Sequence, residues 1–327
     1  MRRLRSLVAL VAVACLLTGC GSQIPAPPDL PPQGGYACHT TLGGTGAGPG
    51  QFRGPFGVAA DSDGNVYVTD AANRRVMKFT CPPFAPSLLV WGTNGTGNGE
   101  FLMPTGIAIG REDNIYVVDY LSSRIQRFDR DDGTYRSTSG GSGSDPGEFQ
   151  LPYGIAYTEG FFDGSRLWVT DFGGDRVHRN DPLRGWTMWG GLGDGNGQFD
   201  HPCGIAYYLP SAVLYVADRD NHRIQKFTEA GTYLTQWGGQ GDGQGQFEFP
   251  EGIAVTPTGD VLVADTQNHR IQKFTANGAY LSQFGHHGGF DDPWGLNKPH
   301  GIAVNEDGWV FVCDFGNDAI RVYLPES

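Results

Sequence analysis

The chain has 327 residues, a formal net charge of −12, and 51 Gly with 21 Pro, so turn-forming residues are far more frequent than in an ordinary globular protein. Without a period such a composition would mean disorder; with one it means many turns. The acidic balance argues against nucleic acid as a partner, because that binding rests on neutralising phosphates with Lys and Arg.

Residues 1–20 read MRRLRSLVALVAVACLLTGC, with Arg2, Arg3 and Arg5 at the start and an apolar run of 11 residues over 7–17. The run is too short to span a bilayer as a stable helix and reads as a secretory signal peptide. It ends in Leu17-Thr18-Gly19-Cys20, which resembles the bacterial lipobox. The resemblance implies cleavage of residues 1–19 and acylation of Cys20, giving an extracytoplasmic protein lipid-anchored to a bacterial membrane. That cleavage removes three Arg and no acid, so the mature charge is −15. Residues 20–35 are dense in Pro and read as an extended, semi-rigid tether, followed by one domain over 36–327.

Within that domain, residues 247–284 show the organising unit: short apolar runs at 252–255, 261–264, 271–274 and 279–284, cut by Gly, Pro, Asn and Asp. These are strand and turn signals. The Asp that ends the second strand recurs as Asp70, Asp119, Asp171, Asp218, Asp265 and Asp314, at intervals of 49, 52, 47, 47 and 49 residues. A Pro-x-Gly opens the first strand of each unit, from Pro55-Phe56-Gly57 to Pro299-His300-Gly301. Five positions after the Asp stands an Arg (75, 124, 176, 223, 270), except in the sixth unit, which has Ala319. A sheet this small cannot bury both faces alone and needs copies of itself. The sixth unit stops at its third strand, while residues 36–44 align with the fourth strand of other units, so residues 36–42 should close the last sheet. The reading is an all-β, six-bladed propeller of four-stranded antiparallel blades, a ring with only short outer edges.

Pro-x-Gly-Ile-Ala, the Tyr-Val-x-Asp strand end and Asn-His-Arg-Ile-Gln-Lys-Phe (221–227 and 268–274) are similar to the NHL-repeat family, and the resemblance covers residues 36–327. It implies the propeller fold and leaves function open, because NHL propellers include binding modules and a few enzymes. RNA binding, found in some animal NHL domains, does not suit an exported chain of charge −15.

The recurrent Asp and Arg read as a structural pair, since catalysis needs one site rather than six. Asp61-Ser62-Asp63-Gly64-Asn65 resembles the start of a calcium loop, but it lacks the later Glu and falls at the first hairpin turn. The Gly-rich stretches at 190–197 and 238–245 read as flexible connections between blades. Function should lie where blades differ. The residue between Pro and Gly is Phe56, Thr105, Tyr153, Cys203, Glu251 or His300, and these six should ring one mouth of the central channel as ligand-binding positions. The loops between second and third strands, with Asp220, His222 and His269, reach the same face. Cys203, Glu251 and His300 could together hold zinc or another divalent metal. Amidating lyases that resemble NHL propellers carry His on several blades there; only His300 matches, so that activity is not carried over. Cys38 and Cys81 fall on neighbouring blades, where a disulfide is permitted outside the cytoplasm, whereas Cys203 and Cys313 should be free. The leading functional expectation is a membrane-anchored binding or scaffold propeller for a protein, peptide or glycan ligand, with no catalytic set. The alternative is a lyase or hydrolase using Glu251 or His300 at the mouth.

Overall fold

The structure is a computed structural model and describes residues 34–80, 89–110, 114–159 and 164–325. The signal peptide, Cys20, all but the last residues of the tether, and Cys81 lie outside them. Six four-stranded antiparallel sheets form the blades. In blade five the strands are Pro250–Val255, Val261–Asp265, Arg270–Phe274 and Tyr280–Phe284, from the channel outwards. Blade six takes Pro299–Val304, Val310–Asp314 and Ala319–Pro325 from the end of the chain and Tyr36–Gly43 from its beginning. That last strand pairs Leu42 with Ile320 and Tyr36 with Pro325, and so closes the ring.

The inner strands are apolar on both faces because each blade is packed on both sides, whereas outer strands such as Tyr233–Gly238 alternate with exposed positions. Val66 and Val68 of blade one point to Phe311, Cys313 and Ile320 of blade six, while Tyr67 between them points to Ile107 and Val117 of blade two. Period-two alternation therefore feeds two cores, and six such clusters, one per interface, make the ring.

The innermost strand begins two residues earlier than the apolar run suggests. Pro-x-Gly belongs to it as a bulge: the pairing register breaks between Pro250 and Ile253, and at the same place in the other five blades. The Gly has a steric reason. A Cβ on Gly252 would sit 1.9 Å from the His300 carbonyl oxygen, and the same approach recurs around the ring, to Phe56 O from Gly301. The inner strands thus meet backbone to backbone, and the bulge turns the middle residue into the channel mouth.

The recurrent Asp and Arg are structural, as expected. Arg270 Nε donates to Asp265 Oδ2 at 2.8 Å, Asp265 Oδ1 accepts from the Glu248 N–H at 2.7 Å, and Arg270 Nη2 donates to the Gly243 and Gln246 carbonyls. Blade six, lacking the Arg, uses a fully buried Arg321 two residues further on, 2.9 Å from Asp314. The same contacts correct the view of the Gly-rich connections as loose. Each is clamped by the guanidinium and by a short parallel bridge such as Gln240 to Phe247, whose ring is fully buried. The Asp61 turn is a hairpin turn, with Asp61 Oδ1 accepting from the Asp63 and Asn65 N–H groups.

Cys38, Cys203 and Cys313 are free. The Cys38 thiol packs into the interface of blades five and six and donates to the Pro293 carbonyl at 3.2 Å. It faces blade five as a free thiol; Cys81, the partner expected for it, lies outside the described residues.

Candidate functional site

Four of the six mouth residues converge across the channel: Tyr153 of blade three reaches over to Glu251, His300 and Phe56 on the consecutive blades five, six and one. Glu251 Oε2 accepts a hydrogen bond from the Tyr153 hydroxyl and lies 2.6 Å from His300 Nδ1. Its other oxygen accepts from Arg219 Nε at 3.0 Å. Tyr153 Oη is 3.4 Å from the same His300 nitrogen, and the Phe56 ring packs on His300 at 4.6 Å and on Tyr153 at 5.1 Å. The other two are fully buried: the Thr105 hydroxyl donates to the Tyr153 carbonyl at 3.0 Å, and the Cys203 thiol lies against Tyr153 and the Glu251 charge.

The convergent side chains plug the channel. The cavity they bound is about 80 Å³, with Val58, Ile107, Ile155, Ile205, Ile253 and Ile302 as its apolar wall. That holds a few waters, well short of the roughly 300 Å³ where small-molecule sites begin.

Burial alone would raise the Glu251 carboxyl, but the charge and hydrogen bond of His300, with Tyr153 and Arg219, outweigh it and hold the pKa at about 2. The Tyr153 hydroxyl is pushed well up, first by burial and then by the Glu251 charge. The Cys203 thiol is pushed well up by the same two causes, so it stays protonated and unreactive. Burial would lower Arg219, yet Glu251 and its other neighbours raise it.

Above the plug stands a second ring that the sequence reading missed: the residue after the recurrent Asp, namely Ala71, Tyr120, Phe172, Arg219, Thr266 and Phe315. Phe172 stacks on Tyr153 at 5.8 Å, Phe315 packs on His300 at 4.5 Å, and Arg219 lies over Phe249 at 4.6 Å. The signal was available, since this position varies between blades beside a fixed neighbour just as Pro-x-Gly does. The loop histidines have a structural task. His222 Nδ1 accepts from the Phe249 N–H and His269 Nδ1 from the Lys298 N–H, latching each loop to the next blade, as Asp175 and Asp318 do elsewhere. Asp220 lies 2.5 Å from Arg219 Nη1. Cys203, Glu251 and His300 do not form a compact ligand set among the described residues.

The family described as NHL repeat matches residues 52–79, 101–128, 199–227, 247–274 and 296–323, that is, every blade except the third. No curated protein is similar in sequence. Among solved structures, a streptogramin B lyase is similar at TM-score 0.58 and 15% identity over 87% of this chain and 97% of its own. A gluconolactonase from Xanthomonas campestris gives 0.62 and 16%, over 90% and 99%. A chain of a nidogen/laminin complex gives 0.56 and 16%, over 76% and 84%. At such identities the likeness is one of fold alone. Matched repeats in five blades of a closed six-bladed ring make this chain a member of the NHL-repeat β-propeller family.

Proposed function

We propose that the chain is a non-enzymatic binding propeller, exported and lipid-anchored through Cys20, that offers its mouth face to a protein, peptide or glycan. One observation carries the reading: Tyr153, Glu251, His300 and Arg219 satisfy one another and plug the channel, leaving the second ring of Tyr120, Phe172, Arg219 and Phe315 as the surface to be recognised. Aromatic rings beside an Arg are the side chains enriched at binding hot spots. Tyr36, the first residue of the closing strand, pairs with Pro325 at the pole opposite the mouth.

A photo-reactive amino acid placed in cells at position 172, and separately at Asp307 on the opposite pole, tests the binding face. A discrete adduct from position 172 and none from 307 is the expected result; adducts from 307 alone refute it. Replacing Cys20→Ser should release the protein from membranes or stall its processing, and a mature-length variant that stays in the membrane fraction removes the anchor from the proposal.

The same Tyr–Glu–His cluster favours a second reading, a lyase or hydrolase acting at the mouth, since perturbed ionisable groups gather at active sites. The similar solved structures include lyases and a gluconolactonase, and also a protein–protein complex, so the fold hosts both. Against catalysis, a carboxylate held near 2 with both oxygens engaged is a feeble base at neutral pH.

A further inference from the structure

We infer that the mouth face is self-complementary and pairs with a second copy of this chain, mouth to mouth, about a two-fold axis running through blades two and five. The inference rests on the mouth being the binding face and names the partner it meets. Charge is spread unevenly round that face. The side of blades six and one carries Arg53, Arg74 and Lys298, all exposed and none in an ion pair among the described residues. Asp318, an acid on the same side, has its oxygens taken by the Thr45 hydroxyl and the Gly54 N–H. The diametrically opposite side, over blades three and four, carries Asp175, Asp194, Asp200 and Asp220, with Arg219 as the counter-charge.

The opposite charges stand at equivalent places in their blades. Arg53 and Asp200 each follow the buried Phe of a connection, and each donates its N–H to the recurrent Asp of its blade at 2.8 Å. Arg74 and Asp175 each end a loop between second and third strands in the left-handed region, at φ 57° and 50°. Equivalent positions share a radius and a height on the ring. Rotation about the line through blades two and five exchanges blade one with blade three and blade six with blade four. Arg74 is thereby brought to Asp175 and Arg53 to Asp200, and each pair forms a second time across the axis, as a two-fold interface requires. Lys298 of blade six comes over the start of blade four, beside Asp220. Leu121, 53% exposed at the tip of the blade-two loop, falls on the axis, meets its own copy and leaves water. Glu100 and Glu148 come together on that side, and each turns an oxygen back to its own turn, accepting from the Gly97 and Asp145 N–H groups. Exposed charge pairs contribute little energy singly but fix register, while the aromatic rings of the second ring supply the apolar centre.

Cysteine crosslinking of the full-length protein in the cells that produce it tests the pairing. On oxidation Leu121→Cys should give a thiol-reversible species of twice the chain mass, well above that from Leu209→Cys, a similarly exposed leucine at the opposite pole. Arg53→Asp added to Leu121→Cys sets like charges against each other twice and should reduce that species about tenfold. Asp200→Arg added in turn should restore it, because the exchange reinstates both pairs. Arg53 is exposed, so its replacement reports docking rather than folding. A Leu121→Cys protein no richer in the double-mass species than Leu209→Cys, or a charge exchange no better than Arg53→Asp alone, overturns the proposal. The photo-reactive residue at position 172 separates the two readings. An adduct with a different molecule, beside an uncrosslinked Leu121→Cys, overturns self-pairing and leaves the mouth as the binding face; no adduct at all beside the same result removes both.

Discussion

Replacing Glu251→Gln keeps the size and one acceptor oxygen but removes the charge at the centre of the plug. The amide must then turn an N–H towards Arg219 on one side or towards Tyr153 and His300 on the other, so at least one buried donor loses its acceptor. The magnitude follows from linkage. The carboxyl is held at about 2 against an ordinary 4.5. At 1.36 kcal/mol per tenfold change in protonation this is about 3 kcal/mol, an upper figure because part of it belongs jointly to His300. For a domain of this size 1 kcal/mol moves the Tm by about 2 °C, so the variant should melt roughly 5–6 °C below the wild type at pH 7. The sign with pH is fixed by the direction of the shift. A lowered folded pKa stabilises fully above the unfolded value near 4.5 and the stabilisation is lost as the pH falls towards 2. The gap between the two proteins should therefore hold from pH 7 to 5 and narrow towards pH 3. Calorimetric melts across that range, with exposed Glu306→Gln as control, check it. A gap under 1 °C at pH 7, or one that does not change on acidification, refutes the reasoning.

Arg321→Gln should cost about 3 kcal/mol or more by leaving buried Asp314 without its cation, and Ala319→Arg added to it should recover much of that loss, because blades four and five carry Arg and Gln at these two positions; urea denaturation of the single and double variants decides it, and a double variant no better than the single one counts against the equivalence. Gly252→Ala should impair folding, since its Cβ would meet the His300 carbonyl at 1.9 Å, while Gly289→Ala, with open space around it, should melt like the wild type. Deleting residues 36–42 strips the partner from Ala319–Pro325 and removes Tyr36 and Leu42 from two cores, so the Tm should fall and the open edge should drive self-association visible by light scattering.

Most of the frame was legible because its residues recur for steric or hydrogen-bonding reasons that hold in every blade. Gly252 and its equivalents admit a neighbouring carbonyl, and Asp265 and Arg270 hold the incoming connection, so spacing alone reveals blade count, strand order and ring closure. The exceptions show where spacing stops. Arg321 replaces the missing Arg from a position two residues later, which the sequence offers only as a polar residue where other blades have Gln. At the mouth, position predicted that six side chains share a ring, but not their reach. Thr105 and Cys203 end up fully buried, while Tyr153 crosses the channel to meet Glu251 and His300. The face that Cys38 takes was not legible, because on an outer strand it depends on register, which the bulge between Cys38 and Thr40 sets locally.

The departures from the repeat are not spread evenly round the ring. Blade three is the one that the repeat family leaves unmatched, and it carries Phe172 where blade five has Thr266. His178 stands where blades four and five have Gln225 and Gln272, and it accepts the Gly147 N–H as those amides accept Gly197 and Gly245. Blade four adds Asp200, His201, Arg219 and Asp220 on the same side. Of these substitutions only His178 reproduces the contact it replaces; Arg219 and Phe172 instead brace the plug through Glu251 and Tyr153, and Asp200, His201 and Asp220 put charged groups on the mouth surface. A ring with sixfold packing needs no such asymmetry for stability, because each interface is already filled by its own apolar cluster. Under the proposed binding function these groups, together with Tyr120 of blade two and Phe315 of blade six, are the ones a partner meets, and crosslinks from position 172 should fall off the channel axis on the side of blades three and four.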